Sequence, residues 1–173
     1  MNVLTKFKPV TTILMDMDGV LTDGSLLIQP DGEWVRRMHI KDGYVLQLAV
    51  RSGYRLILVT GSFSQPVVDR LHTLGITEVY QKIQDKAACL RSIQEKYRLK
   101  KEEIMFIGDD IPDLMAMEMA GISCCPADAA RDVLDKADYI SSVKGGEGCV
   151  RDILEKLLRV QGKWNMQNDI RST

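Results

Sequence analysis

The chain has 173 residues, of which 45% are hydrophobic and 27% are charged, and its 23 Lys and Arg nearly balance 24 Asp and Glu. This balance gives no reason to expect binding to nucleic acid or to an anionic membrane surface. No run approaches the roughly 20 apolar residues that cross a bilayer, and the N-terminal residues lack the apolar core of a signal peptide. The four cysteines show no paired metal-ligand spacing, so we expect reduced thiols in a cytoplasmic protein.

Strands and helices alternate along the predicted chain. A buried strand at residues 10–15 is followed by a β-hairpin, because a Pro-Asp-Gly turn at 30–32 separates β-prone runs at 25–28 and 33–38. The later elements are helices at about 44–52, 65–74, 86–97, 114–120, 127–135 and 150–158, and strands at 55–59, 78–80, 104–107, 122–125 and 138–140. This alternation predicts an α/β fold with a mainly parallel, three-layer, Rossmann-like sheet. We expect one domain over residues 1–173, with an N-terminal extension at 1–9 and a loosely held C-terminal tail at 161–173.

The segment DMDGVLTDG at residues 16–24 directly follows the first predicted strand. Asp16 and Asp18 are two residues apart, so their side chains can converge at the carboxyl end of that strand, where open α/β sheets bind ligands. Two carboxylates placed together repel each other unless a cation lies between them. A solvated turn would also be rich in Asp and Gly, so this segment alone leaves both interpretations open.

Polar residues also follow two later predicted strands, and their chemistry complements that of Asp16 and Asp18. Thr60 and Gly61 follow the strand at 55–59, the acidic segment at 109–113 follows the strand at 104–107, and Lys86 opens a helix. Each has an ordinary alternative: Thr60 as a turn or capping residue, Lys86 as a solvated helix residue, and Asp110 and Asp113 as helix caps or supporting partners. Together, however, these residues suit hydrolysis of a phosphate monoester.

Each residue of this set has an expected role. Asp16 is the candidate nucleophile that would form an aspartyl-phosphate, and Asp18 would protonate the leaving oxygen and then activate water. Asp16 and Asp109 supply hard oxygen ligands, which suits Mg²⁺. Thr60 and the N–H groups after it would cradle phosphate oxygens, and Lys86 would add a positive charge on the same anion.

These motifs resemble those of the haloacid dehalogenase superfamily of phosphatases over nearly the whole chain. DMDGVLTDG resembles the nucleophile motif, residues 59–61 the second motif, Lys86 the third, and the segment at 108–113 the acidic fourth. The resemblance implies that the backbone carbonyl of Asp18 is also a Mg²⁺ ligand. Only the hairpin separates the first strand from its helix, so no cap domain is expected and the hairpin would act as a flap.

Further segments resemble the 3-deoxy-D-manno-octulosonate 8-phosphate (KDO 8-phosphate) phosphatases of lipopolysaccharide synthesis. They are residues 40–44, 145–151 and 160–163. This resemblance implies a homotetramer in which hairpins pack together and C-terminal tails reach a neighbour's active site. The substrate contacts that it implies are His39, Ile40, Lys41, Asp42, Gly43 and Arg70. Arg70 also has an argument of its own, because a guanidinium can pair bidentately with a sugar carboxylate, although a solvated helix residue is an equal expectation.

Two positions depart from the pattern of these phosphatases. Ser62 and Gln47 stand where arginines often face the anionic sugar acid. A nine-carbon substrate such as KDN 9-phosphate is therefore an alternative. Two further alternatives are a phosphotransferase and a non-catalytic scaffold that uses the fold for assembly. Arg151 is a weaker candidate for reading the substrate from a partner's tail, because an arginine in the first turn of a helix is also ordinary.

Overall fold

The structure is a computed structural model that describes residues 2–165 and Ile170. Its strands are β1 Thr12–Met15, β2 Leu27–Ile28, β3 Trp34–Val35, β4 Arg55–Val59, β5 Glu78–Tyr80, β6 Ile104–Ile107, β7 Ile122–Cys125 and β8 Tyr139–Ile140. Its α-helices are α1 Leu4–Phe7, α2 Ile40–Arg51, α3 Gln65–Thr73, α4 Lys86–Tyr97, α5 Leu114–Met119, α6 Arg131–Leu134 and α7 Cys149–Val160. Short 3₁₀ turns span Lys101–Glu103 and Ile111–Asp113.

Six of the strands form one parallel sheet in the order β5-β4-β1-β6-β7-β8. Alternate residues of β1 point to opposite faces, so Ile13 and Met15 join one apolar cluster and Leu14 joins another. The first cluster also contains buried residues of α2, α3 and α7, and the second contains residues of α4, α5 and α6. The predicted three-layer α/β fold is therefore confirmed.

The hairpin between β1 and α2 is also confirmed. Strands β2 and β3 pair antiparallel, and the turn between them places Gly32 at φ +87°. Its strands expose large apolar side chains, with Leu27 65%, Ile28 66% and Trp34 56% accessible. The hairpin follows β1 in the chain, and its role as a flap over the strand ends stays a prediction.

Two predicted helices begin more than two residues away from their observed start. Helix α2 begins at Ile40 instead of residue 44, because His39 caps it and accepts a hydrogen bond from the Lys41 N–H at 3.3 Å. The helix predicted at 127–135 is reduced to Arg131–Leu134. Tertiary hydrogen bonds occupy the preceding residues: Ala130 N–H donates to the Asp109 carbonyl, and Asp128 accepts from the Gly145 N–H.

The described parts of both termini pack onto the sheet domain. The predicted extension contains α1, whose Phe7 is fully buried and meets the Tyr139 ring edge-on at 5.7 Å. The Gln161 amide donates to the carbonyls of Phe7 and Val10 at 2.9 and 2.8 Å. The first part of the predicted loose tail is therefore held, while residues 166–169 and 171–173 lie outside the described residues. Within residues 2–165 and Ile170, no helix is long and apolar enough to cross a membrane.

Candidate active site

A cavity of about 520 Å³ lies at the carboxyl ends of β1, β4 and β6. These strands are neighbours in the sheet, so the polar residues that follow them are brought to one place. Residues predicted from the sequence line it together: Asp16, Asp18, Thr60, Gly61, Lys86 and Asp109. It is also lined by Gly24, Ser62, Ile83, Gln84, Asp110, Pro112 and Asp113.

Lys86 lies between two carboxylates on the floor of this cavity. Its ammonium group is 2.9 Å from Asp16 Oδ1 and 2.6 Å from Asp113 Oδ1, and the side chain is 5% exposed. Burial would lower the pKa of Lys86, but the negative charges of Asp16 and Asp113 raise it, so the ammonium stays charged. Asp85 caps α4 by accepting from the Ala88 N–H at 2.8 Å, which fixes the helix start that carries Lys86.

Asp16, Asp109 and Asp113 form a tight group of carboxylates. One oxygen from each lies within 4.8 Å of the others. Burial, followed by the negative charge of Asp113, raises the pKa of Asp16 to about 6, although Lys86 opposes this shift. Burial and the charges of Asp16 and Asp113 raise the pKa of Asp109 to about 8. The group therefore resists carrying its full negative charge without a cation.

The donor set fits Mg²⁺. Among the described residues, the buried Asp109 Oδ1 has no hydrogen-bond partner, so this oxygen is available as a ligand. Both Asp113 oxygens are engaged, because Lys86 donates to one and the N–H groups of Asp109 and Asp110 donate to the other at 3.1 and 3.4 Å. Asp16 and Asp109 are accordingly the carboxylates that would hold the ion, and Asp113 orients the loop that carries Asp109.

Asp18 is held by three side chains. Arg36 donates from Nε to Asp18 Oδ1 at 2.7 Å and from Nη2 to Oδ2 at 3.1 Å. Ser62 donates to Oδ2 at 2.7 Å and Thr22 to Oδ1 at 3.2 Å. Burial would raise the pKa of Asp18, but the hydrogen bonds from Arg36, Ser62 and Thr22 together hold it below its ordinary value. The carboxyl group is therefore ionised at neutral pH in the free protein.

Thr60 and Gly61 form the turn that joins β4 to the segment before α3. Thr60 is buried, donates its N–H to the Tyr80 carbonyl and accepts from the Ser62 N–H through Oγ1. Ser64 occupies the N-cap position of α3, but within the described chain its side chain makes no capping hydrogen bond. The exposed Gly61 leaves room at the cavity wall for an anion.

The acidic loop after β1 is packed against two glycines of the loop before α7. Added Cβ atoms at Gly145 and Gly146 would overlap the backbone of residues 19 and 22–23. Gly146 N–H also donates to the Val20 carbonyl at 3.1 Å. From the sequence, the loop before α7 is known only as a segment that resembles the KDO 8-phosphate phosphatases. In the structure it packs against the loop after β1, which carries Asp16 and Asp18, and supports it.

The predicted substrate contacts lie elsewhere. Arg70 lines a separate cavity of about 300 Å³ with hairpin residues that include Trp34 and Met38. Gly43 packs against it, since an added Cβ would lie 2.9 Å from Arg70 Nη2. His39 caps α2, whereas Ile40 and Lys41 are exposed. These residues do not line the carboxylate cavity, and their contact with substrate stays a prediction.

Asp42, the remaining predicted substrate contact, is 1% exposed and joins two helix starts. Its Oδ1 accepts from the Arg151 N–H at 2.6 Å, and burial raises its pKa to about 7. Arg151 itself pairs with Glu155 at 2.8 Å and lies over the Tyr44 and Trp164 rings. Both side chains are therefore engaged within this subunit.

Arg36 and Ser62 are the site residues that the sequence analysis missed or misread. Arg36 lies in a β-prone run, and no local sequence pattern shows that the hairpin folds back onto the loop at residues 16–24. The only available sign was a pair of arginines at the base of a hairpin that leaves from that loop. Ser62 was noted only as a missing arginine, whereas its hydroxyl contacts Asp18.

Comparisons with known proteins agree on one family. A family described as haloacid dehalogenase-like hydrolase matches residues 71–153. The 3-deoxy-D-manno-octulosonate 8-phosphate phosphatase of Salmonella typhi is 35% identical over 162 residues, which cover 94% of this chain and 86% of that protein.

Two solved structures of phosphatases with that name superpose closely. The Yersinia pestis structure has a TM-score of 0.90 at 32% identity and covers 93% of this chain and 87% of that one. The Moraxella catarrhalis structure, in complex with magnesium ion, phosphate ion and KDO, has a TM-score of 0.91 at 31% identity and covers 94% and 93% of the two chains.

Proposed function

The chain belongs to the haloacid dehalogenase-like hydrolases, within the family of KDO 8-phosphate phosphatases, and we propose on this premise that it hydrolyses KDO 8-phosphate with bound Mg²⁺. The observation that carries the proposal is the meeting of Asp16, Asp18, Lys86 and Asp109 in one cavity. A scaffold has no need of carboxylates whose burial and mutual repulsion raise their pKa values.

In the first step, an Asp16 carboxylate oxygen attacks the phosphorus. The bond from phosphorus to Asp16 forms as the bond from phosphorus to the sugar oxygen breaks, which leaves an aspartyl-phosphate. Asp18 gives its proton to the departing sugar oxygen. Since Asp18 is ionised in the free protein, it takes up that proton from solvent as the phosphate enters.

In the second step, Asp18 acts as a base. It removes a proton from a water molecule, whose oxygen attacks the phosphorus and breaks its bond to Asp16. The products are phosphate and the free sugar acid, Asp16 is again a free carboxylate, and Asp18 returns to its ionised state when it releases to solvent the proton that it took from the water. The location of Asp18 two residues beyond Asp16 lets one side chain serve both steps.

The remaining residues bind and orient the phosphate. Asp16, Asp109 and, as the family resemblance implies, the Asp18 carbonyl would hold Mg²⁺, which would supply positive charge that offsets the repulsion between nucleophile and phosphate. Thr60 offers its hydroxyl group and Gly61 offers its backbone N–H group for the phosphate oxygens. Lys86 contributes a fixed positive charge beside Asp16, at 2.9 Å.

The proposal extends to substrate contacts, assembly and location. Arg70 has a guanidinium group in the neighbouring cavity, where it suits the sugar carboxylate. The exposed apolar hairpin supports its packing against other copies in a homotetramer. All four cysteines are free thiols, three of them buried, which supports a cytoplasmic protein.

The test is phosphate release from KDO 8-phosphate, KDN 9-phosphate and 4-nitrophenyl phosphate, each with Mg²⁺ and with EDTA. We expect a Mg²⁺-dependent preference for the eight-carbon substrate. A preference for KDN 9-phosphate would keep the chemistry and change the substrate. No phosphate release from any of the three would overturn the proposed function. Mg²⁺ should also raise the melting temperature of the protein, which tests the ion site without relying on activity.

A further inference from the structure

Arg36 stands out because it combines deep burial with a two-point contact to a catalytic candidate. Its side chain is only 3% exposed, whereas the Asp18 side chain that it grips is 25% exposed. Both guanidinium contacts, at 2.7 and 3.1 Å, go to different oxygens of the same carboxylate. Such a fork fixes the plane of a carboxylate as well as its distance, which a single hydrogen bond does not do.

Two further pairs of residues join the hairpin that carries Arg36 to the loop at residues 16–24. Arg37, the next residue, reaches Asp23 at 2.9 Å, but its side chain is 68% exposed. Thr22 and Met38 form an antiparallel bridge at the hairpin base. One arginine thus points into the site towards Asp18, and its neighbour makes an exposed ion pair, a kind that contributes little stability.

We propose that Arg36 is a positioning residue that orients the Asp18 carboxyl group for proton transfer to the leaving sugar oxygen, so that seating of the hairpin assembles the acid–base step. This inference rests on the proposed phosphatase function. Proton transfer requires the carboxyl oxygen within hydrogen-bond reach of the leaving oxygen. Ser62 and Thr22 hold Asp18 by one oxygen each, and Arg36 alone contacts both among the described residues.

The role predicts a dependence on the leaving group. When the phosphate bond to a sugar alcohol breaks, the departing alkoxide is a strong base and needs the proton from Asp18. When the bond to 4-nitrophenol breaks, the departing phenolate is stable and needs no proton. The ratio kcat/KM reports the steps up to formation of the aspartyl-phosphate. Loss of Arg36 should therefore lower kcat/KM for the sugar phosphate and leave kcat/KM for the aryl phosphate nearly unchanged.

The experiment compares Arg36→Met, Arg36→Lys and Arg37→Met with the unchanged protein on KDO 8-phosphate and 4-nitrophenyl phosphate. If KDO 8-phosphate is not turned over, glycerol 3-phosphate replaces it as the alkyl ester. We expect Arg36→Met to lower kcat/KM about 10- to 100-fold for the alkyl ester and less than about threefold for the aryl ester. Arg36→Lys keeps the charge and one hydrogen bond, so it should recover part of the loss.

Arg37→Met is the matched control, because it removes the other arginine at the hairpin base. It should change neither ratio by more than about threefold. Three results would overturn the positioning role of Arg36. In Arg36→Met, kcat/KM could fall equally for both esters or stay unchanged for the alkyl ester. Alternatively, Arg37→Met could show the same selective fall for the alkyl ester. A higher KM for the sugar phosphate with unchanged kcat would instead make Arg36 a substrate-binding residue. If the unchanged protein hydrolyses neither ester, the proposed function itself fails.

Discussion

Gly19 and Asp109 face each other so closely that a Cβ at position 19 would overlap the Asp109 carboxylate. Gly19 also adopts φ +89°, a conformation that side chains disfavour. The two residues belong to loops that follow neighbouring strands, β1 and β6. The loop after β1 can therefore approach the loop after β6 only because position 19 has no side chain.

Replacing Gly19 by alanine should displace Asp109 and lower both metal affinity and turnover. We expect kcat/KM to fall at least about 100-fold, because a shift of about 1 Å at a catalytic group has an effect of that size. Gly32→Ala is the matched control, since Gly32 has φ +87° and, apart from its chain neighbours, no atom of the described residues lies within 4 Å of the added Cβ. It imposes similar backbone strain without the collision, so its kinetics should not change. Steady-state kinetics and Mg²⁺ titration check both variants, and full activity in Gly19→Ala would contradict the close fit.

Asp16→Asn should abolish phosphate release and leave the fold intact. The amide has nearly the same shape but cannot form the aspartyl-phosphate, and it removes one charge from a crowded group of carboxylates. Without Mg²⁺ the variant should therefore melt at the same temperature as the unchanged protein or slightly higher, and the Mg²⁺-induced rise should shrink. Asp135→Asn, at an exposed helix ion pair, should change neither property. Measurable turnover in Asp16→Asn would remove Asp16 from the role of nucleophile.

The regular elements near the site could be predicted from the sequence because their evidence is local. Apolar, β-branched runs give the observed bounds of β4, β6 and β7, and polar residues directly after them mark the strand ends. The start of α2 could not be placed, because Gly43 lowers helix propensity and the cap comes from His39. The helix at 127–135 was overpredicted because hydrogen bonds to Asp109 and Gly145, which are distant in sequence, fix the backbone there.

For residues of the candidate site that directly follow strands, the sequence predicts that they lie close together. Asp16, Asp18, Thr60 and Asp109 meet because parallel strands end at one edge of the sheet. Contacts made across the fold, such as Arg36 to Asp18, depend on how the hairpin docks and have no local pattern.

Asp42→Asn should change how stability depends on pH. In the folded protein burial raises the Asp42 pKa to about 7 from an ordinary value of 3.8, so between these values the folded state holds the proton and the unfolded state loses it. Stability must then fall as pH rises through this range. Relative to Asp42→Asn, we expect the unchanged protein to lose on the order of 1–4 kcal/mol between pH 4 and pH 8.

Urea unfolding at several pH values in saturating Mg²⁺ measures this difference, and the Asp16 and Asp109 contributions cancel because both proteins contain these residues. The asparagine can still accept from the Arg151 N–H through its own oxygen, so the contact at 2.6 Å is retained. Parallel stability curves for the two proteins would show that Asp42 does not carry a raised pKa.

Gln161→Ala should lower stability without lowering turnover. The Gln161 side chain accepts from the Tyr54 hydroxyl at 2.6 Å and donates to two carbonyls near the N-terminus. Loss of these bonds should cost about 1–3 kcal/mol, and the melting temperature should fall by roughly 3–8 °C. Gln65→Ala, which removes one exposed hydrogen bond to Asp69, serves as the control and should leave the melting temperature unchanged. A truncation that tests whether the C-terminal tail reaches a neighbour's active site should therefore keep the chain up to Ile170, because a cut at residue 161 would remove this bond set and a cut at residue 165 would remove Ile170, which is 7% exposed and belongs to the core.

The position of β1 at the centre of the sheet has a consequence for synthesis on the ribosome. The strand that leads into Asp16 is made first, but its two neighbours, β4 and β6, are made only by residues 59 and 107. The nascent chain must therefore carry β1 without a partner while about 44 further residues are added, and with one unpaired edge until about 90 have been added. Folding of the sheet cannot finish early, and the cation site is completed only after Asp109 has left the exit tunnel. Nascent chains released before that point should expose β1 and depend on chaperones.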